Sequence, residues 1–156
     1  IDQATWEKII EFNEENRGFD SRTGNLLEGK VNVYGAEGQL SGVYNYKDGL
    51  AHGISEDYYP NGVVSLSVNY LHGKKHGKEE WFLEDGSTTY EANFKEDVMD
   101  GPEITWTEEG AYTEIIYSNG KVVEADPPVE ELLDDAELDL DPVVEVPEDE
   151  KPDPDF

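Results

Sequence analysis

Glycine returns to this chain every 24 residues, at Gly29, Gly53, Gly77 and Gly101, and again at Gly38, Gly62, Gly86 and Gly110. Aromatic residues keep the same step: Tyr34, Tyr58, Phe82 and Trp106 each stand five places after a glycine of the first set. Tyr46, Tyr70 and Phe94 follow it too, with Tyr117 one residue early, and Asn45, Asn69 and Asn93 share the period. A unit of 24 residues is too short to bury a core alone, so its copies must stack on one another.

Each unit reads as strand, tight turn, strand, turn. In "GISEDYYPNGVVSLSVNYLHG", residues 53–73, Pro60-Asn61-Gly62 supplies a hairpin turn, Asn-Gly being tolerant of positive φ. Val64, Leu66, Val68 and Tyr70 then alternate with Ser65, Ser67 and Asn69, the period of a strand with one wet face. Asp85-Gly86 and Glu109-Gly110 repeat the hairpin turn, while Asp48-Gly49, His72-Gly73 and Asn119-Gly120 begin the return connections. The expected fold is mainly β: a single-layer antiparallel meander of about four hairpin repeats over residues 19–123.

The segments "YKDGLAHG", "YLHGKKHGKEEWF" and "YYPNG" resemble MORN repeats of the bacterial variant type, and "RGFDSRTGNLLEGKVNVY" resembles the lead-in of that family. The likeness spans roughly residues 17–122 and rests on four registered copies. The last copy departs at Asp97 and Asp100-Gly101-Pro102 and lacks one residue before Tyr117, as a terminal cap would. The resemblance implies a bacterial protein-interaction platform. It also implies a looser alternative, because members of the variant type are often catalogued as putative antitoxins.

His72 and His76 lie four residues apart, a spacing that binds zinc on a helix. In the repeat register, however, His76 takes the place of His52 and Asp100, and His72 that of Asp48, so both are joint residues. Lys74 and Lys75 between them would repel a cation, and a third ligand is missing. With no cysteine, thiolate metal sites, disulfides and a cysteine nucleophile are excluded. No serine lies in a nucleophile elbow, no Asp-rich stretch has calcium-loop spacing, and the glycines mark hairpins rather than a phosphate cradle. Acid pairs such as Glu79-Glu80 arise by abundance among 38 acids. We therefore expect no catalytic, cofactor or metal residues, no small-molecule substrate, and a protein that is not an enzyme.

A one-layer sheet leaves an apolar face to be covered. The repeated aromatics, with Leu40, Val64, Leu66, Val68, Tyr90, Ala92 and Ile115, are expected to line it. Residues 1–18 read as a helix with a Trp6, Ile9, Ile10, Phe12 stripe, capped by Asp2 or Thr5 and stopped by Gly18, closing the end of the stack. Residues 124–156 form an acidic, Pro-rich tail. Its Leu132 and Leu133 suit a short helix and its Val143, Val144 and Val146 an extended piece, so we expect it to dock on a partner rather than serve only as a solvated tail.

Lys plus Arg number 11 against 38 Asp plus Glu, a net charge of −27. Residues 124–156 hold 15 acids and one base, Lys151, so −14 of that charge lies there and −13 in the first 123 residues. Such a chain repels nucleic acid and anionic membrane surfaces and attracts a basic protein. Trp81, next to an inward Phe82, is expected on the opposite face as a partner contact, with Tyr59 in the matching place of the preceding repeat. Leu132, Leu133, Val143, Val144, Val146 and Phe156 are the tail contacts. A start at Ile1 rather than Met fits a trimmed chain or a removed leader, hence a periplasmic or cell-associated location beside a cytoplasmic one. The function expected is a scaffold or interaction module, possible as a subunit of a larger assembly, with an antitoxin or immunity protein against a basic toxin as the alternative.

Overall fold

The computed structural model describes residues 1, 2 and 9–126, and within them twelve β-strands in chain order. Strands β1 (Ile10–Phe12) and β2 (Gly18–Asp20) form a small hairpin. The other ten build one antiparallel sheet: β3 (Gly29–Tyr34), β4 (Leu40–Lys47), β5 (Leu50–Ala51), β6 (Gly53–Tyr58), β7 (Val64–Leu71), β8 (Lys74–Phe82), β9 (Thr88–Lys95), β10 (Val98–Trp106), β11 (Tyr112–Ser118) and β12 (Lys121–Asp126). Every strand pairs with its sequence neighbours except that β4 bonds both the short β5 and β6. That is the meander the period predicts.

The repeat is visible in its turns. At the four hairpin tips the same two backbone bonds recur, as in Tyr59 N–H to Val63 C=O at 2.8 Å and Gly62 N–H to Tyr59 C=O at 2.9 Å. Gly62 takes φ of 84°, whereas Asn61 does not enter the left-handed region and works through its side chain instead. Its Oδ1 accepts from Val63 N–H at 3.0 Å and its Nδ2 donates to Glu84 C=O at 2.9 Å, tying one hairpin tip to the next.

The return turns place Asp48, His72, Glu96 and Asn119 at φ near 50°, followed by Gly49, Gly73, Asp97 and Gly120 at 70–82°. Two consecutive positive φ values define the tight turn that matches strand twist. Each second turn residue then donates its N–H to the carbonyl of the unit before: Gly49 to Leu27, Gly73 to Ala51, Asp97 to Lys75 and Gly120 to Met99, all at 2.8–2.9 Å. The joint is thus a backbone clip between hairpins, and His72 is one of its turn residues.

The N-terminal helix is not present from Ile10 onward; residues 3–8, with Thr5 and Trp6, lie outside the described residues. Asn13 decides the difference. Its side-chain oxygen accepts from Glu15 N–H at 3.0 Å and Arg17 N–H at 2.9 Å, and Asn16 turns at φ 59°, so the polar stretch closes a hairpin. The expected cap Asp2 instead bridges Tyr34 in parallel, and the Ile1 ammonium donates to Asn32 C=O at 2.7 Å, along the β3 edge. At the other end, β12 runs to Asp126, three residues into the segment read as tail. The tail contacts beyond it lie outside the described residues.

Candidate interaction face

Residues paired across strands share a face. The pairs Ser55–Val68, Val68–Glu79, Glu79–Ala92, Ala92–Glu103 and Glu103–Ile115 therefore draw one row across the sheet, alternating small or apolar residues with carboxylates. A flanking row holds Asp57, Leu66, Trp81, Tyr90 and Thr105, and on the other side stand Tyr70, Phe94 and Tyr117. The opposite face carries Ser67, Glu80 and Glu91, with Lys78 held by Glu91 at 3.1 Å and Glu80 at 3.5 Å. One face is aromatic and the other charged, as the strand alternation predicts.

Although the sheet has one layer, the middle of this row is buried. Ala92 is 0% exposed, and Val68 and Glu79 are each 5% exposed. Large rings stand in the rows on either side of these residues, and large side chains beside small ones are how a single sheet makes a core. Glu79 is matched: the Lys75 ammonium pairs with it and Trp81 Nε1–H donates to it at 2.8 Å. Lys75 also lies over the Phe94 ring, 4.9 Å from its centroid.

Two more carboxylates on this face bond to tyrosine hydroxyls. Tyr44 donates to Asp57, and Tyr90 donates to Glu103 at 2.9 Å. Burial, reinforced by those bonds, holds the Tyr44 and Tyr90 hydroxyls well above the usual phenol range, and burial plus a bond to Glu103 raises Tyr117 as well. None of these three carboxylates was singled out by sequence reasoning as part of a site; the 24-residue step from Glu79 to Glu103 was the available signal.

The face opens into a groove of about 630 Å³ between β8, β9 and β10, lined by Trp81, Tyr90, Phe94, Met99 and Trp106 with Glu79, its partner Lys75, and Glu103. Trp81 is 51% exposed, and its ring sits 5.6 Å from that of Tyr90 at 60°. Trp81 thus lies on the aromatic face rather than opposite it. A bulge causes the reversal: Trp81 pairs with Tyr90 but Phe82 with Thr88, so side-chain parity slips between the two residues. Tyr59 is not its counterpart, because Asp57 lies 24 residues before Trp81. The half-buried Tyr59 donates its hydroxyl to Phe82 C=O at 2.7 Å and struts two hairpin tips together.

His52 and His72 meet edge to face at 5.0 Å, and among the described residues no group of three or more His, Cys, Asp or Glu is arranged to hold a metal ion.

The fold and this face define a repeat protein of stacked antiparallel hairpins with an aromatic, acid-lined surface. Residues 51–72 and 75–96 match the family model described as MORN repeat variant, so the chain contains repeats of the MORN type. The two matches cover the middle of the stretch, residues 17–122, over which the sequence shows the resemblance. No curated protein matches the chain. The MORN repeat is a non-enzymatic repeat module, generally involved in protein–protein or membrane interactions.

Proposed function

We propose that this chain is a non-enzymatic protein–protein interaction module, a subunit or scaffold of a larger assembly, whose partner presents a basic surface. The observation that carries the reading is the open aromatic groove with carboxylates in its lining, on a chain of net charge −27. Exposed aromatic side chains in a concave, partly desolvated setting are what protein interfaces use as anchors. The charge opposes nucleic acid and anionic membrane surfaces as partners. Trp81 is the foremost contact in this reading, and Leu132, Leu133, Val143, Val144, Val146 and Phe156 of the acidic tail add a second arm.

The test is capture of partners from the native source by the full chain and by Trp81→Ala, at low and moderate salt. We expect one basic protein or one set of subunits, retained by the wild type and depleted with the variant. Equal recovery on both baits would remove Trp81 from the interface. The acidity also supports a second reading, an antitoxin or immunity protein masking a basic toxin. It predicts a one-to-one complex whose association rate falls steeply with salt, and restoration of the partner's activity when the complex is dissociated.

A further inference from the structure

Repeat symmetry gives the groove a more specific chemistry. In the third hairpin Lys75 and Glu79, four residues apart, pair across the buried row. Moving 24 residues on gives Met99 and Glu103, so the carboxylate recurs and the lysine does not. The backbone is the same in both places: Lys75 is the partner of Tyr70 and Met99 of Phe94, and the register slips between residue 75 and residue 79 as it does between Met99 and Glu103. Glu103 accepts the Tyr90 hydroxyl at 2.9 Å and has no ion pair among the described residues.

Resting on the interaction reading above, we propose that Glu103 and the rings around it form a subsite for one arginine side chain of a basic protein partner. The third hairpin displays the recognition internally, since Lys75 is held by Glu79 and lies over Phe94. In the fourth hairpin the partner supplies the cation. Trp81, Tyr90 and Trp106 wall the groove that leads to Glu103, and a planar guanidinium both stacks on such rings and bonds a carboxylate. The Tyr90 hydroxyl on Glu103 fixes its orientation, so little side-chain freedom is lost when the cation arrives. A second acidic copy of this chain, or its own acidic tail, would bring like charge to the same place.

The experiment follows tryptophan fluorescence of the full chain during titration with a capped Ala-Arg-Ala tripeptide and with its neutral citrulline counterpart, at low salt. The arginine peptide should bind about ten-fold more tightly than citrulline, the effect of a charge-assisted bond plus ring stacking. Glu103→Gln should lose about that factor. Met99→Lys should lose as much while keeping the fold, because it rebuilds the Lys75–Glu79 arrangement one repeat on and fills the subsite from within. Glu109→Gln, which removes the same charge at an exposed hairpin tip, should leave binding unchanged.

Any of three results overturns the subsite: no arginine binding to the wild type, citrulline equal to arginine, or Glu109→Gln losing as much as Glu103→Gln. Native-source capture by Glu103→Gln separates this failure from the broader one. A partner held equally by wild type and variant, with no tripeptide binding, overturns the subsite and leaves the interaction reading standing. Loss of all capture by the wild type removes both.

Discussion

Glu96 occupies the first position of a return turn at φ 52°, where its equivalents are Asp48, His72 and Asn119. Left-handed backbone is tolerated by Asn and Asp, whose short side chains bond locally, and is unfavourable for Glu. Glu96→Asn should therefore raise unfolding free energy by about 0.5–1 kcal/mol in urea titration, against Glu96→Gln as the control for charge. If both variants change stability equally, charge rather than backbone governs the position. These joints were legible in the sequence because glycine and its substitutes recur at a fixed step, and the structure places His72 at that step as a turn residue. Trp81 was not legible: alternation assigns faces by counting, and a bulge adds a residue that counting cannot see.

Tyrosines bonded to carboxylates set a second residue-level expectation. Tyr44 and Tyr90 are raised by burial and then by bonds to Asp57 and Glu103, and Tyr58 is pushed up to about 12 by its bond to Glu56 and then by burial. An unfolded tyrosine titrates near ~10. Because the folded values are higher, the stabilisation these groups give is complete below ~10 and is lost as pH rises through the folded values. Near-ultraviolet titration should show a late-ionising set of tyrosines, and Glu103→Gln should bring Tyr90 and Tyr117 back toward the ordinary value. A single transition for all tyrosines in the wild type would mean that the bonds to the carboxylates do not persist in solution.

At the scale of elements, the four hairpins follow directly from period and turn chemistry, and their pairing order from short connections. The recurrent asparagines were legible as a pattern but not as a mechanism. Asn45 donates to Ile54 C=O and Asn93 to Pro102 C=O, next to Gly53 and Gly101, and so they satisfy carbonyls exposed where the strand pairing is interrupted. The first hairpin was misread as helix because Ile9, Ile10 and Phe12 satisfy helical spacing, while Asn13 diverts the backbone into a turn. Asn13→Ala should weaken this hairpin by about 1 kcal/mol, the worth of its side-chain bonds to two exposed N–H groups. Amide exchange should quicken at Gly18 and Ser21, whose N–H groups bond Gly49 and Ile9, and stay unchanged in β7–β9. Faster exchange throughout the sheet would show instead that the small hairpin nucleates the stack.

For the whole molecule, charge sets the last expectation. Sequence composition made the acidity plain, yet only the sheet reveals that Glu79 is neutralised by Lys75 while Glu80 and Glu91 share Lys78. With 11 bases for 38 acids, most carboxylates have no cation to meet, and self-repulsion opposes the compact state. The Debye length shrinks from ~30 Å at 0.01 M to ~10 Å at 0.1 M salt, so added salt screens repulsion between strands while close pairs such as Lys75–Glu79 hardly notice. Melting temperature should therefore rise with sodium chloride over that range. Magnesium or calcium at matched ionic strength tests whether screening alone accounts for that rise. A divalent ion that raised the melting temperature well beyond matched sodium chloride would point to a specific carboxylate site rather than to screening. A melting temperature insensitive to salt would mean that the acids are spread so widely that repulsion is already relaxed, and that the attraction for a basic partner rests on the groove rather than on the field of the whole chain.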